Sequence, residues 1–109
     1  MSLAYKVLGQ NSPSATTATT LYTCPAQTQS VVSSIVVVNR GASSGTFRVA
    51  IRPNAETLAN KHYIAFDETL ASNTRANLTL GITMDAADIV TIYASSADFS
   101  FNAFGVEIQ

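Results

Sequence analysis

Apolar and polar residues alternate along most of the chain, a pattern typical of half-buried β-strands. The pattern is clearest from Val31 to Pro53, where a β-branched run at 35–38 and an alternating run at 46–52 flank a polar, glycine-bounded loop. Pro53 ends the second run, because proline has no backbone N–H to donate to a sheet. We therefore predict two strands joined by a loop at the centre of the fold.

The second of these strands divides its side chains between two faces. Phe47, Val49 and Ile51 point to one side, and Arg48 and Arg52 point to the other. We expect the apolar side to face the core and to pack against apolar residues of later strands. The expected partners are Leu78, Leu80, Ile82, Phe99 and Phe101.

Six further segments have extended character and are separated by turn signals. They cover 4–8, 21–24, 62–66, 75–83, 89–94 and 99–108. The chain lacks the alternation of strands and helices that builds parallel sheets. The predicted fold class is all-β: a single antiparallel β-sandwich or jelly-roll-like barrel of about seven to eight strands, with an extended N-terminal arm.

The last segment changes its hydrophobic phase. Its large apolar residues occupy odd positions first and even positions afterwards: Phe99, Phe101, Phe104, Val106 and Ile108. A slip of one residue moves every side chain to the other face of a strand. We therefore expect a bulge near Asn102 and Ala103, or burial of both faces of this strand.

The N-terminal part differs in composition from the rest. We divide the chain into a first strand and polar arm at 1–20 and a β-sandwich domain at 21–109. Residues 9–20 are uncharged and rich in serine and threonine, and Lys6 is the only charged residue before Arg40. Such an arm is either a flexible loop or a segment ordered by lying along a neighbouring subunit.

The charge content bears on the kind of partner. The 109 residues fit one domain, and only 12% of them are charged, about half the usual share of roughly 25%. A surface this poor in charge fits a protein that packs against copies of itself or another partner, the alternative being a monomer solubilised by hydroxyls and amides. The net charge of -1 provides no electrostatic footprint for nucleic acid or an anionic membrane. We expect neither a signal peptide nor a membrane span.

Catalytic chemistry is sparse in the sequence. His62 is the only histidine, and the sequence offers it no partner set for catalysis, so we expect a structural or surface role. Cys24 lies in an apolar setting and should be a small buried residue rather than a nucleophile. Asp85 and Asp88 are expected to cap a turn, since a calcium loop needs more ligands at close spacing. We predict no enzymatic activity, no metal and no cofactor.

Three arginines are the candidate residues for a subunit interface. Arg48 and Arg52 share a strand face, and Arg40 lies in the preceding loop. Guanidinium groups can bind carboxylates of a neighbouring subunit through two parallel hydrogen bonds. The alternative is that they are solvated on the outer surface. The four tyrosines could line a sugar-binding surface, although the absence of tryptophan weakens that interpretation: Tyr5, Tyr22, Tyr63 and Tyr93.

Several stretches together resemble small virion structural proteins of tailed bacteriophages, especially phages of cyanobacteria and related aquatic hosts. These stretches are AYKVLGQ (4–10), LYTCPA (21–26), SIVVVNRG (34–41), FRVAIRP (47–53), LANKHYI (58–64) and LTLGIT (78–83). The resemblance implies a self-associating β-sandwich or jelly-roll-like domain on a capsid or tail. It brings no catalytic motif with it.

The first function that follows from this resemblance is that of a capsid decoration or cement protein. Such a protein stabilises the phage head by binding the major capsid protein and copies of itself, most simply as a homotrimer. It would be assembled in the host cytoplasm and reside in the virion, without contacts to nucleic acid or membrane. The alternative is a tail, collar or fibre component that adheres to host glycans, and a small enzyme is the third possibility.

Overall fold

The computed structural model describes residues 1–109 as an all-β fold of nine strands, which confirms the predicted all-β class. Two antiparallel sheets pack in a sandwich-like arrangement. The strands are β1 (Leu3–Asn11), β2 (Thr19–Thr23), β3 (Gln29–Asn39), β4 (Gly45–Arg52), β5 (Tyr63–Leu70), β6 (Thr74–Leu78), β7 (Ile82–Met84), β8 (Ile89–Ala94) and β9 (Phe99–Ile108). Two short 3-10 turns at Pro53–Ala55 and Asn60–His62 lie between β4 and β5.

The order of strands places the two chain ends side by side. One sheet, here called sheet A, has the order β1-β9-β3-β6, with β7 also paired to β3. The other, sheet B, has the order β2-β8-β4-β5. β1 therefore forms an open edge of sheet A and pairs only with the last strand of the chain.

The core forms where the inner faces of the two sheets meet. The rings of Phe47, Phe99 and Phe101 pack with centroid separations of 6.2–6.5 Å, and Val49 is fully buried beside them. The other residues predicted for this cluster are partly buried against it: Ile51, Leu78 and Ile82. The core prediction is confirmed for all of these residues.

The segment predicted as one strand at 75–83 is divided. β6 ends at Leu78 and β7 begins at Ile82, although both pair with β3. Gly81 has a φ of 63°, a left-handed conformation that glycine adopts without steric cost and that interrupts an extended chain. Leu80 is 56% exposed in this interruption, so its predicted place in the core is wrong.

β9 continues through the predicted phase change without a bulge of its own. The extra residues belong to its two neighbours, where the register shifts between Val7 and Gly9 in β1 and between Val32 and Ser34 in β3. β9 thus alternates regularly, with odd positions facing the core and even positions facing out. The expected bulge in β9 is wrong. The alternative expectation, burial of both faces, is met in part, because the even-numbered apolar residues lie on a half-buried outer face.

Candidate functional site

The outer face of sheet A carries a continuous apolar surface across three strands. In its central row, Tyr5 of β1 is opposite Val106 of β9, which is opposite Val31 of β3. The rows on either side pair Leu3 with Ile108 and Val7 with Phe104. We call this surface the sheet A face and define it as Leu3, Tyr5, Val7, Val31, Phe104, Val106 and Ile108.

The most exposed part of the sheet A face lies at the sheet edge. Leu3, Tyr5 and Val7 expose 50%, 80% and 48% of their surface. The residues on β3 and β9 are partly buried by their neighbours. None of the seven side chains is charged. Monomeric proteins rarely leave a contiguous apolar area of this kind in water, and such areas usually mark a contact site.

Local sequence explains why the apolar side of β1 faces outwards. Leu8 is the additional residue of the bulge in β1 and packs against the core, whereas Tyr5 and Val7 before it face solvent. Gly9 follows the bulge, and a Cβ there would collide with the carbonyl oxygen of Leu21 in sheet B. The bulge and the glycine together allow β1 to approach sheet B while its first half keeps an apolar outer side.

Beneath the sheet A face, a buried carboxylate joins β1, β9 and β2. Glu107 is 6% exposed, and its Oε1 lies 2.8 Å from the Nζ of Lys6. The hydroxyl of Tyr22 donates a hydrogen bond of 2.7 Å to Oε2 of the same carboxylate. The Lys6 and Tyr22 contacts lower the pKa of Glu107, and burial is the main cause that raises the pKa of Tyr22. Lys6 is therefore paired inside the subunit and adds no free charge to the sheet A face.

Arg48, one of the predicted interface residues, lies on the outer face of sheet B and is held inside its own chain. Its guanidinium binds Asp67 through both carboxylate oxygens, at 2.6 and 3.2 Å. It also lies 4.3 Å from the ring centroids of both Phe66 and Tyr93. The hydrogen bond from Arg48 lowers the pKa of Asp67, so this pair stays ionised at neutral pH.

The other two predicted interface arginines also have contacts within the chain. Arg52 shares the outer face of sheet B with Arg48 and donates to the Glu56 carbonyl at 2.7 Å. Arg40 lies beyond the end of β3 and donates to the hydroxyls of Ser12 and Ser100 at 2.9 and 2.8 Å. The fold thus brings Arg48 and Arg52 to one sheet and leaves Arg40 at the end of the other.

A pair of aromatic residues, one exposed and one half-buried, lies next to Arg48 on sheet B. The rings of Tyr63 and Phe66 meet edge to face with centroids 4.9 Å apart. Phe66 is 54% exposed, and the two rings border a shallow depression together with Asn60. This is the place on sheet B where an apolar ligand surface could stack.

The residues with candidate chemistry stabilise local structure. The Nδ1 of His62 accepts a hydrogen bond from the Ala59 N–H at 3.0 Å, and its Nε2 lies 3.2 Å from a Glu56 carboxylate oxygen. His62 is buried. Asp85 and Asp88 accept hydrogen bonds from backbone N–H groups of their own turn, as predicted.

The predicted burial of Cys24 is confirmed, since this residue is 1% exposed among core side chains. Its thiol contacts the Thr28 carbonyl and the Ser30 hydroxyl, at 3.3 and 3.4 Å. No group of three or more histidine, cysteine or acidic side chains has a geometry that would hold a metal ion.

The sequence indicated the sheet A face only through the phase change in β9. Even-numbered apolar residues at 104–108 were evident, but their partners in β1 lie almost a whole chain length away. The structure contains no helix with the length and apolar character needed to cross a membrane. No protein-family model matches the chain, and no curated protein is similar to it in sequence.

Proposed function

We propose that this chain is a non-enzymatic structural protein of a tailed-phage virion, acting as a capsid decoration or cement protein. The proposal of a virion comes from the resemblance of the sequence stretches described above. The observation that carries the mode of action is the uncharged apolar sheet A face, exposed on a sheet whose other side is firmly packed. Its partners would be the major capsid protein and further copies of the chain.

The sheet A face suits this function for a physical reason. Burial of apolar surface is favourable without demanding exact alignment of charges. A sheet held on its inner side by the phenylalanine core presents this surface with little conformational entropy left to lose. Many modest contacts repeated over a capsid lattice then combine into stable attachment.

A charge placed in the middle of the sheet A face tests this proposal. We expect Val106→Lys to weaken binding to capsids by more than about tenfold, because an unpaired charge would have to be buried in the contact. Binding is measured by co-sedimentation of the purified protein with capsids of the encoding phage prepared without it. The lysine stem can reach solvent in the free protein, so folding should be retained.

Asn77→Lys is the matched control. Asn77 is exposed on the outer side of β6 in the same sheet but outside the sheet A face. The Asn77→Lys variant adds the same charge as Val106→Lys. We expect it to leave capsid binding within about twofold of the wild type, as an exposed substitution normally does. Equal binding by the wild type and Val106→Lys would refute attachment through this face.

A second candidate function is adhesion to host glycans as a tail, collar or fibre component. The Tyr63–Phe66 pair favours it, because Phe66 is exposed, Tyr63 is half-buried, and sugar rings stack on aromatic side chains of this kind. Under this alternative, the purified protein binds a glycan array and Tyr63→Ser abolishes the signal. Tyr5→Thr, which removes an aromatic ring from the opposite sheet, should retain it. An array without any signal would leave no support for adhesion.

A further inference from the structure

The open edge of β1 has unpaired backbone groups at alternate residues. Ser2 and Gln109 exchange two backbone hydrogen bonds, of 2.7 and 2.9 Å, at the start of the β1–β9 pairing. In an antiparallel ladder such hydrogen-bonded pairs alternate with pairs that have no mutual hydrogen bonds. Ala4 and Lys6 are therefore bonded to β9. The N–H and C=O groups of the intervening residues point away from it.

Those intervening residues are the exposed apolar residues of the sheet A face. Leu3, Tyr5 and Val7 each combine a half-exposed or more exposed side chain with backbone groups that have no partner in β9. An edge strand of this kind is a template for pairing with another strand. Its one lysine is paired with Glu107, and its bulge lies beyond this stretch.

The other sheet edges are less suited to pairing. β5 has two register irregularities, and Asp67 within it has a φ of 50°. β2 has only five residues and a register shift of its own. The last edge is interrupted where the chain leaves the sheet between β6 and β7. β1 is the edge that presents a regular stretch before its bulge.

We propose that β1 pairs with β1 of a second copy of this chain, antiparallel and across a two-fold axis at Tyr5. Tyr5 is then opposite Tyr5 of the other copy, and Leu3 is opposite Val7. Each of these pairs can exchange two backbone hydrogen bonds, because all the groups concerned point outwards. The contact is isologous, as two-fold contacts between identical subunits are.

Charge is compatible with a second copy in this register and disfavours the axis at the neighbouring residue. With the axis at Tyr5, Lys6 is opposite the uncharged Ala4, so no like charges meet. A shift of the axis to Lys6 would place two ammonium groups opposite one another, which destabilises strand pairs. It would also bring together residues whose backbone groups are already bonded to β9. The outer side of β1 is uncharged and apolar at Leu3, Tyr5 and Val7, so two copies paired in this register bring apolar side chains together on one face.

This pairing is independent of the proposed virion function. It uses the backbone edge of β1, whereas attachment to a capsid uses the outer side chains of the sheet. It would join the A sheets of two copies into one continuous sheet and place their two faces side by side. A two-fold dimer also differs from the homotrimer that the resemblance implies, so the oligomeric state distinguishes them.

Proline at the two-fold position provides the sharpest test. Tyr5→Pro removes an N–H that has no partner in β9, so the fold should tolerate it as edge strands do. In the dimer it removes both hydrogen bonds of the central pair. We expect sedimentation to show a reversible dimer for the wild type and a dissociation constant raised by more than about tenfold for Tyr5→Pro.

Two further variants test whether the effect of Tyr5→Pro comes from lost strand pairing rather than from altered folding or side-chain packing. Tyr5→Thr keeps the N–H and a β-favouring side chain, so it should remain largely dimeric. Tyr5→Lys places like charges opposite each other and should dissociate the dimer at low salt and restore it in part at high salt. Circular dichroism checks that all three variants are folded.

Amide hydrogen exchange identifies the strand directly. The amides of Ala4 and Lys6 should be protected at every protein concentration, whereas those of Leu3, Tyr5 and Val7 should become protected only as the dimer forms. A wild-type protein that remains monomeric, or that forms a trimer, would overturn the pairing. So would a dimer that Tyr5→Pro leaves unchanged.

Discussion

Among single residues, Glu107 is the buried carboxylate that binds side chains from both sheets. It is a buried carboxylate that receives hydrogen bonds from Lys6 and Tyr22, and the first of these is the largest cause of its lowered pKa. Lys6 belongs to β1, so the ion pair fastens the N-terminal strand to the last strand. Tyr22 belongs to β2 of sheet B and binds the same carboxylate. Glu107 therefore connects the two sheets and also holds the N-terminal strand in place.

We expect Glu107→Gln to destabilise the fold by about 1.5–3 kcal/mol at neutral pH, the usual range for a hydrogen bond to a charged group. Because the pKa of Glu107 is lowered in the folded state, its contribution is present above the ordinary glutamate pKa of about 4.3. The contribution is lost as the pH falls through the folded-state pKa. Urea unfolding of the wild type and the variant should therefore differ at pH 7 and converge in acid.

The control for this prediction is Glu68→Gln, which changes an exposed carboxylate on β5. We expect that variant to remain within about 0.5 kcal/mol of the wild type, as surface substitutions usually do. A difference between the wild type and Glu107→Gln that stays constant from neutral pH to strong acid would show that the ion pair contributes nothing. The effect would then come from packing alone.

Among the elements, β9 shows that a local pattern can predict a strand and its core face but not the neighbours that share its outer surface. The alternation around Phe99 and Phe101 predicts a strand and a core face, and both are observed. The second set of apolar residues in this strand has the wrong phase for the core, which a local pattern can explain by a bulge or by burial of both faces. Its actual reason is that β1 and β3 continue the same outer surface on either side. Pairing between the two chain ends leaves no trace in local periodicity.

The neighbours of β4 show that a local pattern also fails to predict the contacts of a charged residue. A strand pattern places Arg48 on an outer face but does not indicate what lies beside it. Pairing with β5 brings Asp67 to the guanidinium, and pairing with β8 brings the Tyr93 ring.

The division of the predicted strand at 75–83 is also absent from the local pattern. The alternation there is regular, and only the left-handed Gly81 divides the strand. Partners and chain breaks depend on topology, whereas strand existence and inner faces depend mainly on alternation.

For the whole molecule, the edge and the face of sheet A imply two separable steps of assembly. If two copies pair through β1, each dimer presents two adjacent sheet A faces. A dimer that engages a capsid with both faces binds more tightly than either face alone, because the second contact forms at a high effective concentration. Attachment should then respond both to loss of the face and to loss of the pairing.

The variants described above separate these steps. Val106→Lys should remain dimeric and fail to bind capsids, since β1 keeps its edge while the face acquires a charge. Tyr5→Pro should be monomeric and bind with an apparent affinity lowered by about a hundredfold or more, the loss expected when a bivalent contact becomes monovalent. Tyr5→Thr corrects for loss of the aromatic ring, because it keeps the pairing. Capsid binding and sedimentation measured on the same preparations give the capsid affinity and the oligomeric state of each variant. Equal capsid binding by Tyr5→Pro and Tyr5→Thr would mean that each copy attaches independently and that pairing adds nothing to attachment.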